Sequence, residues 1–494
     1  MIRKIIAGII LFGTTLNITA QIERPKLVVG ITVDQMRWDY LYYYYNEFGE
    51  GGLKRLVNDG FSCENTMINY VPTVTAIGHS SIYTGSIPAL TGIAGNDFMI
   101  NGKSTYCTQD DNVQSVGSND KDGQMSPHNL LASGIGTVMK IATDYKAKVI
   151  GIALKDRAAI LPAGHGADAA YWWDTAAGHY VSSTYYMNEL PKWVQKFNKD
   201  NQQAPGKDVK GSIEGVTMTF KMAEAAVENE NLGQDNIPDL LALSVSSTDY
   251  IGHAYGTRGQ QNHDVYMQLD KDLTHFLSFL DKKVGKGNYL IWLSADHGAI
   301  HNYNLMNQHN IPAGAYAAWD ECKQFNEKFK SKHGFNAIIM ANTDRIYLNH
   351  KAIDSAQIDL QDVKKEVAVF LKQNNSKVYR VVDYENIMNT TLPEPIRERI
   401  INGYNPDRSG DLYVITIPGT VDAKPDPKYI GTGHSVWNPY DSHIPLVFMG
   451  WHIKKGQTST PIRIVDIAPT ICELLHIQMP SACVGDAINE VIHP

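Results

Sequence analysis

Short, apolar, β-branched runs recur along the chain and alternate with amphipathic stretches of helical period. The first run, KLVVGITV at residues 26–33, ends at Asp34, and similar runs lie at residues 147–154, 239–246, 288–294 and 444–450. Amphipathic stretches lie at residues 52–59, 215–228 and 264–282. Continuous apolar strands that alternate with helices indicate a parallel sheet covered on both faces. The predicted fold class is therefore α/β, with a mostly parallel central sheet and helices on both faces.

Residues 301–427 interrupt this alternation. They contain three strand-like pieces, at residues 336–342, 345–349 and 411–417, and two helical stretches, at residues 359–373 and 394–401. This pattern predicts a small α+β cap inserted between two strands of the core. The predicted organisation is a core of residues 21–300 and 428–494 with a cap of residues 301–427. A polar, Gly- and Asp-rich segment at residues 102–129 is predicted to be a loop or flap.

The first twenty residues have the pattern of an export signal. Arg3 and Lys4 precede an apolar run at residues 5–12, and small residues end the segment at Ala20. The apolar run is shorter than the ~20 residues of a membrane-spanning helix. We therefore expect a signal peptide at residues 1–20, a periplasmic or secreted mature protein, and no membrane anchor.

Charge and cysteine content exclude some classes of protein. The sequence has 44 Lys and Arg against 52 Asp and Glu, a net charge of −8, which becomes 42 − 52 = −10 without residues 1–20. Non-specific nucleic-acid binding normally needs a basic surface, so none is expected. The five cysteines form no CxxC pair or zinc-knuckle spacing, and their pairing is left open. They are Cys63, Cys107, Cys322, Cys472 and Cys483.

Polar residues follow the predicted strands where each strand ends. They are Asp34, Lys155, Asp249, Asp296 and His297. In open α/β sheets, ligands bind outside the carboxyl ends of the strands, so these side chains are predicted to share one site. The alternative is that Asp is simply frequent in turns after strands.

Several of these residues are of metal-ligating type. Asp249 and His253 are four apart, so one helical turn would place both on the same face. His434 lies in a Gly-rich loop before the last predicted core strand. Mixed carboxylate and imidazole ligation suits catalytic zinc, and seven donors are more than one such ion takes, which favours two ions. The seven are Asp34, Thr75, Asp249, His253, Asp296, His297 and His434. Each histidine could instead be an ordinary structural residue.

The segment at residues 71–98 has the pattern of a nucleophile site. Thr75 is predicted to lie in a turn just before a helix at residues 76–85, where free N–H groups favour an anion such as phosphate. The alternative is that Thr75 only caps the helix.

These motifs, in this order, resemble the alkaline phosphatase superfamily, and within it the phosphate-irrepressible, broad-specificity phosphatases of the PafA type. The matching stretches include VDQMRWDY, NYVPTVTAIGHSSIYTG, GIAGNDF, ALKDRAAILPAGH, STDYIGHAYG, SADHG and TGHSVWNPYDSHIPLVF. The resemblance implies an alkaline phosphatase-like fold and two Zn²⁺ ions. One ion would be held by Asp249, His253 and His434, and the other by Asp34, Asp296 and His297. The resemblance also implies that Thr75 is the nucleophile and that Asn96, Lys155 and Arg157 contact the phosphoryl oxygens.

The chemistry of these residues agrees with those roles. A threonine hydroxyl is a weak nucleophile that zinc can activate. Lys155 and Arg157 are two apart, so in an extended strand end both would point to one side and meet a doubly charged phosphate. The alternative for this pair is an ordinary salt-bridged strand end. His443 is expected to orient a metal ligand.

The predicted function is an exported, zinc-dependent phosphomonoesterase that acts on small phosphate monoesters through a phosphothreonine intermediate. The alternative within the superfamily is a phosphodiesterase or nucleotide pyrophosphatase, which Lys155 and Arg157 disfavour because a diester carries only one negative charge. A sulfatase is disfavoured because Thr75 is followed by Ala-Ile-Gly. A metal-stabilised, non-catalytic binding protein is the alternative from another class. The oligomeric state and the natural substrate are left open.

Overall fold

The structure is a computed structural model that describes residues 22–119 and 121–493. The predicted signal peptide lies outside the described residues. A ten-stranded sheet forms the centre of the molecule. In spatial order its strands are Gly456–Thr458, Phe61–Cys63, Leu446–Gly450, Tyr289–Ser294, Leu27–Val33, Asp239–Val245, Val149–Ala153, Ala169–Asp174, His179–Ser183 and Ser115–Val116.

The strand Leu27–Val33 lies at the middle of the sheet and all seven of its residues are buried. It pairs in parallel with Asp239–Val245 on one side and with Tyr289–Ser294 on the other. Val149–Ala153 and Ala169–Asp174 extend the parallel part. The predicted fold class, a mostly parallel sheet with helices on both faces, is confirmed. Because these strands are parallel, their carboxyl ends meet at one edge of the sheet, as the candidate site requires.

The outer strands run in the opposite direction or pair with strands that do. Leu446–Gly450, which corresponds to the last predicted core run, is antiparallel to Tyr289–Ser294. At the other side, His179–Ser183 is antiparallel to Ala169–Asp174 and forms a hairpin with it.

The three predicted amphipathic stretches are helices whose bounds agree to within a few residues, and the helix predicted at residues 76–85 is present, while the other core helices were not predicted. The bounds of the core helices are Leu53–Asp59, Thr75–Thr84, Ile135–Ala142, Asp156–Ala163, Lys192–Asp200, Ile213–Asn229, Ser247–Tyr255, Gln260–Leu280 and Ile467–Leu474. Among the described residues, none of the helices has both the length and the apolar composition needed to cross a membrane.

A separate four-stranded antiparallel sheet lies within residues 301–427. Its order is Ile338–Asn342, Arg345–Leu348, Leu412–Thr416 and Val378–Asp383. Three of these strands match the predicted pieces, and Val378–Asp383 was not predicted. The helices Ala318–His333, Leu360–Asn374 and Glu394–Asn402 accompany the sheet. Its apolar residues form their own cluster, which includes Phe325, Val367 and Val414. The cap boundaries at residues 301 and 427 stay a prediction.

The segment predicted as a loop or flap is more ordered than its composition suggests. Lys103–Tyr106 pairs antiparallel with Asp97–Ile100, and these two strands form a hairpin that follows Asn96. This hairpin, which we call the site hairpin, carries residues at both of its ends into the candidate site.

Candidate active site

The helix Thr75–Thr84 begins at the predicted nucleophile. Val74 is the N-cap, in an extended conformation, and Thr75 is the first helical residue, with no side-chain capping hydrogen bond. The helix therefore begins one residue earlier than predicted, and Thr75 does not act as its cap. The Thr75 Oγ1 atom instead lies 3.4 Å from Lys155 Nζ. Its hydroxyl thus faces a buried cation beyond the end of the sheet.

Lys155 joins side chains from two different strand ends. Its Nζ atom donates to Asp34 Oδ2 and to Asp249 Oδ2, each at 2.6 Å. Burial would lower the pKa of Lys155, but the two carboxylates outweigh it and raise that pKa. Burial would likewise raise the pKa of Asp249, yet His253 and Lys155 hold it well below its usual value. Lys155 therefore stays charged at the centre of the cluster.

Asp34, Asp296 and His297 form the first candidate metal group. All three side chains are fully buried, and suitable donor atoms of the three lie within 4.8 Å of one another. His297 Nε2 lies 3.4 Å from Asp296 Oδ2 and 3.6 Å from Asp34 Oδ1. These same three atoms have no hydrogen-bond partner among the described residues. Buried polar atoms nearly always have a hydrogen-bond partner. Three unpaired atoms that face one another are therefore consistent with a bound cation.

Asp249, His253 and His434 form the second predicted group. His253 Nε2 lies 3.1 Å from Asp249 Oδ1 and 3.3 Å from His434 Nε2. His434 Nε2 lies 3.7 Å from the same Asp249 oxygen. His297 is also near this group, because donor atoms of Asp249, His297 and His434 lie within 4.8 Å of one another. The His297 and His434 rings stack at 3.6 Å between centroids. The two groups are therefore adjacent, and His297 borders both.

The three histidines share one orientation. In each, Nδ1 bonds a backbone carbonyl: His253 with Thr432 at 3.0 Å, His297 with Gly298 at 3.0 Å, and His434 with Thr73 at 2.7 Å. A carbonyl accepts a proton from Nδ1, which leaves the lone pair on Nε2 for a metal. Burial and the neighbouring His297 and His253 also lower the pKa of His434, which keeps that ring neutral. The donor set thus fits metal binding.

Asn96 lies beside the start of the nucleophile helix. Its Oδ1 atom accepts from the backbone N–H of Ala76 at 3.0 Å, the residue directly after Thr75. The side-chain amide is thereby held next to the predicted nucleophile, with its N–H₂ group left to donate.

Arg157 reaches the site differently from the prediction. Lys155 is extended, but the helix Asp156–Ala163 begins immediately after it, so Lys155 and Arg157 do not lie on one extended strand. Arg157 Nη1 donates to Tyr106 Oη at 2.9 Å, and Tyr106 Oη donates to Asp156 Oδ1 at 2.9 Å. Arg157 Nε is buried without a partner among the described residues. The site hairpin, through Tyr106, therefore holds the guanidinium in place.

Sequence reasoning missed His79. It lies one turn after Thr75 on the same helix, with Nδ1 at 2.9 Å from the Thr75 carbonyl and 3.3 Å from Asp296 Oδ2. Its Nε2 lies 2.7 Å from Ser244 Oγ. The i, i+4 spacing from Thr75 was the available signal.

Gln35 was also missed, and it links the two candidate metal groups. Its side chain donates to Asp249 Oδ1 at 2.6 Å and its backbone N–H to Asp296 Oδ1 at 3.1 Å. By contrast, His443 bonds the Glu64 carbonyl at 2.9 Å and stacks on Trp38 at 4.5 Å. Neither partner is a predicted metal ligand, so these contacts do not support the expected orienting role.

Comparison with known proteins defines the class. The sequence model of the type I phosphodiesterase / nucleotide pyrophosphatase family matches residues 28–436. The chain belongs to this family, within the alkaline phosphatase superfamily, which confirms the resemblance.

Three relatives match nearly the whole chain. Alkaline phosphatase PafA of Elizabethkingia meningoseptica is 44% identical, with 99% of each chain covered. A calcium-transporting ATPase of Myroides odoratus is 43% identical, with 97% of each covered. Alkaline phosphatase PhoV of Synechococcus elongatus is 41% identical, with 95% of this chain and 94% of the relative covered. The crystal structure of PafA superposes with a TM-score of 0.92, at 44% identity, over 96% of this chain and all of that one (100%). The predicted enzyme class, a phosphomonoesterase hydrolase, is confirmed.

Proposed function

We propose that the protein is an exported alkaline phosphatase that uses two zinc ions and hydrolyses small phosphate monoesters through a phosphothreonine intermediate. One observation carries the proposal. Lys155 Nζ lies 3.4 Å from the Thr75 hydroxyl while it bonds one carboxylate from each candidate metal group. Thr75, a fixed cation and both candidate metal groups thus lie next to one another.

In this proposal Asp34, Asp296 and His297 hold one zinc ion, and Asp249, His253 and His434 hold the other. When bound, zinc lowers the pKa of hydroxyl groups and neutralises charge that develops on phosphate oxygens. The tautomers set by the three backbone carbonyls are those that ligation needs.

The reaction then consists of two in-line displacements at phosphorus. Thr75 Oγ forms a bond to phosphorus, the bond to the alcohol oxygen breaks, and the alcohol leaves with a proton. A water molecule next attacks the phosphothreonine, which releases inorganic phosphate and restores the Thr75 hydroxyl. Phosphoryl transfer depends mostly on positioning and charge stabilisation. Lys155 supplies fixed charge beside Thr75, and Asn96 and Arg157 offer N–H donors to the non-bridging oxygens.

Turnover measured on one aryl phosphate monoester and its methyl diester, with zinc content from the same samples, tests this proposal. We expect Thr75→Ala to lose monoester turnover and to keep most of its zinc, because the six other ligands remain. Thr75→Ser is the matched control that retains a hydroxyl and should keep part of the activity. Near-normal turnover by Thr75→Ala would refute the covalent mechanism.

A phosphodiesterase is the second candidate, because the matching family is described as type I phosphodiesterases and nucleotide pyrophosphatases. The same pair of substrates separates the two. A diester hydrolysed faster than its matched monoester by the zinc-loaded protein would favour the diesterase.

A further inference from the structure

An arginine of the cap contacts the loop at residues 94–97, which we call the Asn96 loop. Arg345 is the first residue of the cap strand Arg345–Leu348, and its side chain is completely buried. Its guanidinium donates to two backbone carbonyls, from Nη1 to Ala94 and from Nη2 to Asp97 at 3.3 Å. These carbonyls lie on either side of Asn96 in the sequence. The cap therefore holds the backbone of this loop both before and after Asn96.

Gly95 allows this close contact between the guanidinium and the loop. A Cβ atom at position 95 would lie 2.3 Å from Arg345 Nη2 and 3.1 Å from the carbonyl oxygen of Asp97. Any residue larger than glycine would therefore push the guanidinium away or displace the loop. The position directly before Asn96 thus has no side chain, as the contact with Arg345 requires.

No acidic side chain forms a salt bridge with Arg345 in the part of the chain that the structure describes. Beyond the two carbonyls, its guanidinium donates only to Thr343 Oγ1, at 3.1 Å, and its Nε atom has no partner there. The adjacent Asp344 accepts from Ser435 Oγ at 3.2 Å instead. Burying a guanidinium without a paired carboxylate is costly, and an apolar side chain of similar size often stabilises such a place as well. The stability of the cap alone therefore does not account for an arginine at this position.

Asn96 itself is held by two contacts from the core. Its side-chain Oδ1 accepts from the Ala76 N–H at 3.0 Å, and its backbone carbonyl accepts from the Cys107 N–H at 2.9 Å. Ala76 lies at the start of the nucleophile helix, and Cys107 follows the site hairpin. Arg345 adds the contacts to the residues before and after Asn96. Together these contacts fix the backbone of the loop and the direction of the Asn96 N–H₂ group.

We propose that Arg345 is a positioning residue, which fixes the Asn96 loop so that the Asn96 amide meets a non-bridging oxygen of the phosphoryl group. The inference rests on the proposed function, in which Asn96 donates to that oxygen. Arg345 acts through the backbone of the loop and does not contact the substrate. Misplacing a positioned group by about 1 Å can cost on the order of 100-fold in rate, so a loosened loop should reduce turnover even when the fold is kept. The cap, which contains none of the predicted site residues, would thereby take part in the reaction.

A double-mutant cycle between Arg345 and Asn96 tests the proposal on the zinc-loaded full chain, with kcat/KM for an aryl phosphate monoester as the readout. Asn96→Ala should lower kcat/KM by about 10- to 150-fold, as expected for the loss of a hydrogen bond to a charged group. Arg345→Met, which keeps an unbranched side chain but has no donor, should lower it by about 10-fold. In the Asn96→Ala background the same substitution should change kcat/KM by less than about 2-fold, because the amide that Arg345 positions is already absent.

Zinc content and the temperature of unfolding, measured for each variant, establish that the compared proteins are loaded and folded. Arg380→Met is the matched control, because Arg380 also donates to a backbone carbonyl, that of Thr391 at 2.7 Å, but within the cap. We expect wild-type kcat/KM for this control. If Arg345→Met does not fold, Gly95→Ala replaces it, since it crowds the same guanidinium, and its loss should depend on Asn96 in the same way.

A loss in Arg345→Met that is equally large with and without the Asn96 side chain would overturn the inference and leave the proposed function intact, because a purely structural role gives that result. Wild-type kcat/KM in both Arg345→Met and Gly95→Ala would also overturn it, as would an equal loss in Arg380→Met. A wild type without monoester turnover, or an Asn96→Ala protein with full turnover, would instead contradict the proposed function itself, and the inference with it.

Discussion

Arg157→Ala gives the sharpest test of preference for monoesters over diesters. Arg157 and Lys155, which were predicted to act as a pair, have different hydrogen-bond partners in the structure. Lys155 bonds Asp34 and Asp249 at 2.6 Å, so its removal would leave two buried carboxylates uncompensated and disturb both candidate metal groups. Arg157 contacts Tyr106 rather than a predicted metal ligand. The Arg157→Ala substitution therefore tests how the enzyme recognises substrate charge, with less disturbance of the two candidate metal groups.

The expected magnitude follows from the kind of contact that is lost. A hydrogen bond to a charged group contributes about 1.5–3 kcal/mol. A monoester offers doubly charged phosphate, so its kcat/KM should fall by about 10- to 150-fold in Arg157→Ala. A methyl diester carries one negative charge fewer, so its loss should lie near or below the lower end of that range. The monoester-to-diester ratio of kcat/KM should therefore fall by up to roughly 10-fold.

Steady-state kcat/KM for an aryl monoester and its methyl diester, at equal zinc content, measures this ratio. Tyr106→Phe is the matched control, because it keeps the Arg157 charge and removes only the hydroxyl that holds it. We expect a smaller loss in the same direction for that variant. Equal losses on both substrates in Arg157→Ala would show that Arg157 is structural, and the diesterase reading would regain support.

The other predictions concern metal, pH and one missed residue. Elemental analysis of the active protein should find close to two zinc ions per chain, and a strong chelator should remove activity that added zinc restores; a fully active sample with one metal or none contradicts this. His79→Ala should weaken zinc retention by about 10- to 100-fold, since it removes a contact to Asp296, and zinc titration of the folded variant measures it. Burial, with Arg37 and Arg258 nearby, lowers the pKa of His301 to about 4. The unfolded chain then binds the proton first as pH falls, so this stability is present above pH ~6.5 and is lost toward pH ~4, by up to about 3 kcal/mol. The free energy of unfolding, measured with denaturant at both pH values, should fall less in His301→Gln than in the wild type. An equal fall in both proteins would contradict the assignment of this pH dependence to His301.

The sequence predicted the central part of the fold well because buried parallel strands have a strong pattern. The run that ends at Asp34 is apolar throughout, and every residue of Leu27–Val33 is buried. The cap strand Val378–Asp383 has no such pattern, since Tyr379 and Arg380 are exposed. An edge strand with solvent-facing residues resembles a loop in composition, which is why it was missed.

It was harder to predict how the residues of the site are arranged than to predict which residues belong to it. Arg157 was expected on an extended strand end, but a helix starts at Asp156, where an acidic residue favours the first turn. His79 lies on a helix in which every residue is buried, so no polar face distinguishes it. In both cases the residue type was visible in the sequence, but its neighbours were set by contacts with distant segments.

Convergence of the histidines could not follow from spacing, because the carbonyls that orient His253 and His434 are far away from them in sequence. The carbonyl of Thr73 accepts the Nδ1 proton of His434 across 361 residues, and Thr73 Oγ1 lies 3.3 Å from Asp441 Oδ2, which also binds the loop after His434. Thr73 is two residues before Thr75. The same turn therefore fixes the backbone of the proposed nucleophile and the ring of a proposed zinc ligand. A change in the His434 loop should consequently shift Thr75 as well. In the proposed reaction, the Thr75 hydroxyl can react only if its position relative to His434 is kept.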